Sequence, residues 1–222
     1  MPDLQSARLL DFIGKMPIDQ DALDFFATVP HANAYLDRSG HDGLIPVPFY
    51  SRAPKVDGAD TFFGETLRSR DTIPHAVLLL RADIARLTYE FDGHDDDDRP
   101  DTVALFHIGT KLNGYRDTTH GGLLASLLDE VVGFNVDGLC SCIEAAATAA
   151  GEQQTSSRNR LYTAYLNTTY KKPVSPGAYA VESRLVRREG RKWFLRGRVV
   201  GAEGAVHAEA EVLYIQSRDS VL

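Results

Sequence analysis

The stretch Thr119–Gly133, THGGLLASLLDEVVG, decides the fold of this chain. At about 100° per residue, its large apolar side chains fall on one stripe of a helix. That stripe consists of Leu124, Leu127, Leu128, Val131 and Phe134. Asp129 lies nearly opposite, among the small residues Gly122, Ala125, Ser126 and Gly133. An ordinary solvent face would carry long polar side chains, so this face predicts close approach by a partner backbone or a slim ligand.

The start of this helix is formed by Gly121 and Gly122, directly after His120. Because glycines have no side chains, the first-turn N–H groups are left uncovered at the positive end of the helix. Such groups can bind an anion or stabilise a developing oxyanion. The alternative to a functional site is that Asp129 is a solvated polar residue and that Gly121 and Gly122 only form a tight loop. Composition alone favours this alternative.

The segments around the helix alternate as strands do, and their order indicates the fold class. Two predicted strands, 75–82 and 102–109, precede the helix, and four follow at 161–173, 177–189, 192–201 and 205–215, with a hairpin at Gly190. In the first of these four, alternation puts Thr163, Tyr165, Asn167 and Thr169 on one face. One helix cannot supply the crossovers of a parallel sheet. We therefore expect an α+β fold, in which an antiparallel sheet wraps one central helix.

Residues 1–74 are expected to form an N-terminal helical and loop extension, before a domain at 75–216 and a tail at 217–222. Pro30 should break the first helix, and Pro46, Pro48 and Pro54 mark an extended connector. Residues 57–71 predict a short helix, with Asp57 or Asp60 as its cap. Residues 137–160 form a long excursion, of which 145–150 should be helical.

Composition excludes several classes of function. The 222 residues carry a net charge of −7, which argues against a general nucleic-acid binder. No apolar run approaches the roughly 20 residues of a membrane span, and the acidic N-terminus makes a poor secretory signal. The two cysteines, Cys140 and Cys142, are too close to bridge, which predicts reduced thiols in a cytoplasmic protein. No metal site is expected, since neither the cysteines nor the solvated run His94–Asp98 has a full ligand set.

The run HGGLLASLLDE, residues 120–130, resembles the helix signature of the hotdog-fold thioesterases, in particular the 4-hydroxybenzoyl-CoA/PaaI-like superfamily. The segments YTAYLNTTYKKPVSPG, GRKWFLRGRVV and GAVHAEAEVLYI are similar to later strands of those proteins. The resemblance covers roughly 75–216 and implies a hotdog fold. More loosely, the N-terminal FFATVPHANAYL and DTFFGETLRSRDTIPHAVLL are similar to the extension of a fungal thioesterase-like subgroup.

This resemblance implies roles for individual residues. The Gly121 N–H would polarise the acyl carbonyl with Gly122 beside it, and His120 would shape the loop. Asp129 would act as general base or nucleophile, and Thr163 would hold the attacking water. Asn167, further along the strand, would bind substrate or only make a strand hydrogen bond.

Two features of the resemblance concern substrate binding. Some relatives have a polar side chain six residues before the histidine, but here that position is Gly114. Either the Gly121 N–H works with different help, or Asn113 substitutes for that side chain after a loop shift. Basic residues of the second half, among them Lys171 and Arg191, would meet the phosphates of coenzyme A or form a solvated hairpin surface.

The expected function is hydrolysis of an acyl-CoA or a carrier-bound acyl thioester, with no cofactor. In the family the helix start of one subunit faces the acid of the other, so a homodimer or tetramer is expected. Two alternatives stay open. One is a dehydratase, isomerase or cyclase acting on a thioester or polyketide in secondary metabolism, and the other is a non-catalytic acyl binder with a structural Asp129.

Overall fold

A seven-stranded sheet and one long helix make up most of the structure. The computed structural model describes residues 13–37, 43–53, 55, 58–84, 99–149 and 161–217. With strands numbered along the chain, the sheet order is β1 (Leu44–Val47), β2 (Ala76–Arg81), β3 (Thr102–Ile108), β7 (Gly177–Glu189), β8 (Lys192–Val200), β9 (Val206–Gln216) and β6 (Leu161–Tyr170). Every neighbouring pair is antiparallel, as the sequence predicts. A separate hairpin, β4 (Asn113–Tyr115) and β5 (Thr118–Thr119), leads into the long helix.

The long helix, α3 (Gly121–Ala149), lies against one face of this sheet. Its predicted apolar stripe is buried in the main core, with Leu127, Leu128 and Val131 at 0% exposure. Strand β8 passes close beneath the helix, since a Cβ on Gly197 would lie 2.9 Å from the Leu128 side chain. Gly197 therefore leaves the space in which the helix rests. An antiparallel sheet around one central helix is the hotdog fold, so the predicted fold class is confirmed.

Helix α3 extends further than the sequence predicts, through the first part of the 137–160 excursion to Ala149. The rest of that excursion and the run His94–Asp98 lie outside the described residues. Cys140 and Cys142 are buried free thiols on this helix, and burial raises the pKa of Cys140 to about 12. Among the helices that the structure describes, none combines the length and apolar character needed to cross a membrane.

All six predicted strands are present, and Gly190 turns between β7 and β8 with a φ of +58°. The sequence did not predict β1, because Pro46 and Pro48 mark that segment as a connector. The strand has four residues and lies at the edge of the sheet. On the outer side of an edge strand there is no neighbouring strand to accept an N–H, so a proline, which lacks the N–H, costs no ladder hydrogen bond there. The hairpin of β4 and β5 is too short to show alternation.

The described part of the N-terminal extension includes two helices of 8 residues each, α1 (Gln20–Ala27) and α2 (Pro30–Asp37). The predicted break at Pro30 is confirmed, since this proline is the first residue of α2, where no helical partner exists for an N–H. Phe26 and Tyr35 are buried in a second core cluster on the outer side of β2 and β3. The helix predicted at 57–71 is only a turn, Phe62–Thr66, which no side chain caps.

A buried carboxyl group, Asp101, connects the sheet to helix α3. It is 3% exposed, and its Oδ2 accepts a hydrogen bond from the Leu185 N–H at 2.6 Å. Arg81 Nη1 lies 3.3 Å from Oδ1, and Asn135 of the helix donates to Oδ2 at 3.5 Å. Burial raises the pKa of Asp101 to about 6, although these donors favour the charged form.

Candidate active site

Asp129 on α3 faces two hydroxyl groups of the sheet. Its Oδ1 accepts hydrogen bonds from Thr163 Oγ1 on β6 at 2.9 Å and from Tyr214 Oη on β9 at 2.8 Å. The Tyr214 hydroxyl also lies 3.0 Å from the Asp129 carbonyl oxygen. Within the described residues, no donor contacts Oδ2. The carboxylate is thus held through one oxygen, which leaves the other free to accept a proton or attack a carbonyl.

One of the small residues near Asp129, Gly133, is also required by the packing of the helix against the sheet. Thr163 and Tyr214 are partners in the β6–β9 register, so both side chains point towards the helix. A Cβ on Gly133 would lie 2.7 Å from the Tyr214 hydroxyl. Gly133 therefore makes room for the tyrosine that reaches Asp129. Burial raises the pKa of Tyr214 well above its ordinary value, which keeps the phenol protonated and able to donate.

The start of α3 presents one open N–H group. The Gly122 N–H donates to His120 Nδ1 at 2.9 Å, so His120 shapes the loop and occupies that donor. The Gly121 N–H has no acceptor in the part of the chain that the structure describes. Tyr170 Oη donates to the Gly121 carbonyl oxygen at 2.9 Å. Of the two glycines, Gly121 is therefore the one whose N–H can hold a substrate oxygen.

Asn113 lies beside this helix start, paired with Thr119 across the β4–β5 hairpin. Its Oδ1 is buried and has no hydrogen-bond partner among the described residues. A Cβ at Gly114 would lie 3.0 Å from the His120 ring, which is a tight contact. A side chain at this position would therefore require a small shift of His120.

The helix start and Asp129 do not meet within one chain. Eight residues separate Gly121 from Asp129, and a rise of 1.5 Å per residue puts them about 12 Å apart along the helix. Gly121 lies next to Tyr170 at one end of β6, whereas Asp129 lies next to Thr163 near the other end. A single carbonyl group cannot contact both residues of the same chain.

The expected common face of Thr163 and Asn167 is wrong. The register of β6 shifts between Thr163 and Tyr165, so that Thr163 pairs with Tyr214 and Asn167 pairs with Glu211. Tyr214 and Glu211 are three residues apart on a regular strand and point to opposite faces. The bulge therefore turns the Asn167 side chain away from the helix and from Asp129.

Lys171 and Arg191 lie at opposite ends of the β6–β9 ladder. Lys171 follows the Tyr170 end and pairs with Glu209 at 2.7 Å. Arg191 lies at the Leu161 end, where its Nη1 donates to the Gln216 carbonyl oxygen at 2.8 Å. The structure does not bring the two cations together in one chain.

Sequence reasoning did not identify Tyr214 or Tyr170. The two tyrosines lie 85 and 49 residues along the chain from Asp129 and Gly121, and only strand pairing brings them to the helix. A further carboxyl group, Glu130, points away from them and contacts Ser51 Oγ in the extension. Burial raises the pKa of Glu130.

Known proteins are similar to this chain over part of their length. Acyl-coenzyme A thioesterase THEM4 of Bos taurus is 28% identical over 175 residues, which cover 77% of this chain and 65% of that protein. Verlamelin biosynthesis protein B of Lecanicillium sp is 31% identical over 131 residues, or 56% of this chain and 52% of that protein. The chain is similar in sequence to an acyl-coenzyme A thioesterase, and it has the hotdog fold. This confirms the predicted resemblance.

The alignments leave part of each relative uncovered, since the chain spans between half and two thirds of the length of these two proteins. No protein-family model matches the chain. A solved hypothetical thioesterase of Streptococcus pneumoniae TIGR4, with coenzyme A, is 15% identical with a TM-score of 0.43, over 54% of this chain and 83% of that one. The assignment to the hotdog fold rests on the strand order and the central helix described above.

Proposed function

We propose that the chain hydrolyses an acyl thioester, with coenzyme A or a carrier-bound pantetheine as the thiol. The observation that carries this proposal is Asp129, whose carboxylate is fixed through Oδ1 by Thr163 and Tyr214 while Oδ2 is open. The open Gly121 N–H and the similarity to acyl-coenzyme A thioesterase THEM4 support the same reaction.

In the proposed mechanism, the Gly121 N–H donates to the thioester carbonyl oxygen and stabilises the negative charge that develops there. A helix-terminal N–H suits this role, because it is preorganised and lies at the positive end of the helix. Asp129 Oδ2 takes a proton from a water molecule, whose oxygen attacks the carbonyl carbon, and Thr163 has a free lone pair with which to position that water. Collapse of the tetrahedral intermediate breaks the C–S bond, expels the thiolate and leaves the free acid. If Oδ2 attacks the carbonyl carbon itself, the same collapse leaves an acyl–aspartyl anhydride, which water then hydrolyses to the free acid and Asp129.

The proposed active unit is a homodimer joined through β6. This ten-residue strand is a free edge of the sheet, and Tyr162, Tyr165 and Tyr170 on it are exposed. Long, exposed edges are seldom left unpaired in native proteins. Antiparallel pairing of two β6 strands about a two-fold axis sets the Tyr170 end of one beside the Thr163 end of the other. Gly121 of one subunit would then face Asp129 of its partner. The two groups of one site would come from different chains, so the separation of about 12 Å within one chain, at about 1.5 Å per residue, would not keep them apart.

The test is thiol release, followed with a thiol-reactive dye over acyl-CoA substrates of increasing chain length. Asp129→Asn keeps an oxygen for Thr163 and Tyr214 but removes the base, so we expect turnover to fall by about 10²–10⁴-fold with the fold intact. Glu130→Gln is the matched control, because it makes the same change one residue away and should keep turnover. Equal rates for Asp129→Asn and wild type would contradict the proposal.

A second candidate is a biosynthetic reaction on a thioester without hydrolysis, such as dehydration, isomerisation or cyclisation. The similarity to verlamelin biosynthesis protein B is the observation that favours it. Only hydrolysis releases a free thiol, so mass analysis of the products separates the two reactions. A non-catalytic acyl binder would show saturable binding of acyl-CoA and no turnover for Asp129→Asn to lose.

A further inference from the structure

A cavity of about 380 Å³ lies at the edge of the sheet formed by β1 and β2. The extension closes one side of it with residues 16–21, and Arg52 and Arg68 add two guanidinium groups. It is separate from the Asp129 carboxylate, whose partners lie on β6 and β9, although Ser51, the neighbour of Arg52, contacts Glu130 on α3. Strands β3, β7 and β8 intervene, so β2 and β9 are about 20 Å apart along the curved sheet at 4.8 Å per strand.

Arg52 is a buried cation with unused donors. It is 7% exposed, and its Nη2 donates to the Ile73 carbonyl oxygen at 2.9 Å. Its Nη1 is buried and has no hydrogen-bond partner among the residues described. Burial, together with the charge of the nearby Arg68, lowers the pKa of Arg52 to about 10. A buried guanidinium costs free energy unless an acceptor meets it, so this group calls for a negatively charged or strongly polar partner.

Arg68 brings a second positive charge to the same place. Its Nη1 donates to the Arg52 carbonyl oxygen at 2.9 Å, which holds the exposed Arg68 side chain at the cavity mouth. Among the described residues, no carboxylate lies within ion-pair distance of either guanidinium. Asp19 also lines the cavity and offsets part of the charge of Arg52, but its Oδ1 accepts from the Ala22 N–H as the cap of α1.

Apart from Asp19 and the exposed carboxylate of Asp21, the remaining walls of the cavity are apolar. They include Met16, Ile18, Val47, Phe49 and Leu78. A volume of about 380 Å³ is within the range of small-molecule pockets. Two guanidinium groups and mostly apolar walls fit a molecule with one anionic end, held by the arginines, and a hydrocarbon body.

We propose that this cavity binds the carboxylate of a small amphipathic acid, which Arg52 and Arg68 hold at its anionic end. The carboxylate oxygens accept from the free nitrogens of Arg68, and the buried positive charge of Arg52 beside them adds to the attraction. The hydrocarbon body packs on the apolar walls. A free phosphate shares the anionic chemistry but not the apolar body, so it should bind more weakly. Binding at this cavity does not require that the chain hydrolyse a thioester.

The experiment is isothermal titration calorimetry of the full chain with octanoate and, separately, with inorganic phosphate. We expect saturable octanoate binding that Arg68→Gln weakens by about tenfold or more, the effect of losing a charge-assisted hydrogen bond. Arg70→Gln is the matched control, since Arg70 is exposed, does not line the cavity and carries the same charge.

Three results would overturn the proposal. The first is no saturable binding of octanoate to the wild type. The second is equal weakening by Arg68→Gln and Arg70→Gln, or by neither, which would place octanoate elsewhere, for example near Asp129. The third is phosphate binding at least as tight as that of octanoate, which would make the cavity a phosphate site.

Discussion

Replacing Tyr214 by phenylalanine removes one hydroxyl group and leaves the aromatic ring in place. That hydroxyl lies 2.8 Å from Asp129 Oδ1 and 3.0 Å from the Asp129 carbonyl oxygen. Tyr214 is 6% exposed, so water does not readily replace the lost donor. The raised pKa of Tyr214 keeps its phenol protonated, and the hydroxyl donates at any pH at which the protein is assayed.

The magnitude follows from the charge of the acceptor. A hydrogen bond to a charged group contributes about 1.5–3 kcal/mol, and Thr163 still donates to Oδ1 in the variant. We therefore expect the free energy of unfolding to fall by about 1.5–2 kcal/mol, near the lower end of that range. The carboxylate also loses one of its two anchors, so kcat for thioester hydrolysis should fall by roughly tenfold, which corresponds to about 1.4 kcal/mol.

Urea unfolding followed by circular dichroism measures the stability change, at one fixed protein concentration because a dimer is expected. Tyr115→Phe provides the control, since Tyr115 is 82% exposed on the β4–β5 hairpin. Its unfolding free energy should stay within about 0.5 kcal/mol of the wild type. If Tyr214→Phe is as stable as Tyr115→Phe, the hydroxyl does not hold Asp129 and the reasoning fails.

Three further predictions concern the packing and the buried charge of the fold. Gly133→Ala places a Cβ 2.7 Å from the Tyr214 hydroxyl, so urea unfolding should show a loss of about 1 kcal/mol or more, although alanine favours helices. The pKa of Asp101 is raised to about 6 in the folded state, so the folded chain binds this proton more tightly than the unfolded chain does. The free energy of unfolding should therefore fall by about 2–3 kcal/mol as the pH rises from 4 to 7. Asp101→Asn should remove that component from a series of unfolding curves between pH 4 and 7. Asp19→Ala removes the side-chain cap on the Ala22 N–H and should lower the melting temperature, at a cost of about 1 kcal/mol, whereas Asp24→Ala should not.

Local patterns in the sequence predict much of the fold. The alternation of apolar residues predicts six of the seven sheet strands, and the stripe through Leu127 and Val131 predicts which side of α3 is buried. Pro30 marks the boundary between α1 and α2. These features depend on near neighbours in the chain. The edge strand β1 could not be predicted in the same way, because Pro46 within it is ordinarily a breaker.

The candidate site is only partly visible in the sequence. The glycines at the helix start and Asp129 stand out because they contradict an ordinary solvent face. Tyr214 does not stand out, since it reads as one more residue of an alternating strand. The orientation of Asn167 depends on a bulge that appears only when β6 pairs with β9. Alternation alone predicts the wrong face for any residue beyond such a bulge.

The central claim is that Gly121 of one subunit and Asp129 of the other act on the same thioester. Gly121→Pro removes the N–H at the first helical position, where proline is tolerated. Gly121→Ala also adds a Cβ, 3.3 Å from the Tyr170 ring, but it keeps the N–H. It therefore controls for the steric effect of the added Cβ on Tyr170. A heterodimer of Gly121→Pro with Asp129→Asn would have both changes in one site and neither in the other.

The decisive measurement is thiol release from that heterodimer, purified with a different tag on each chain and compared with the two parent homodimers. We predict that both homodimers are nearly inactive and that the heterodimer recovers roughly half of the wild-type rate, because one of its two sites is intact. A heterodimer as inactive as its parents, with Gly121→Ala still active, would contradict a site shared between subunits.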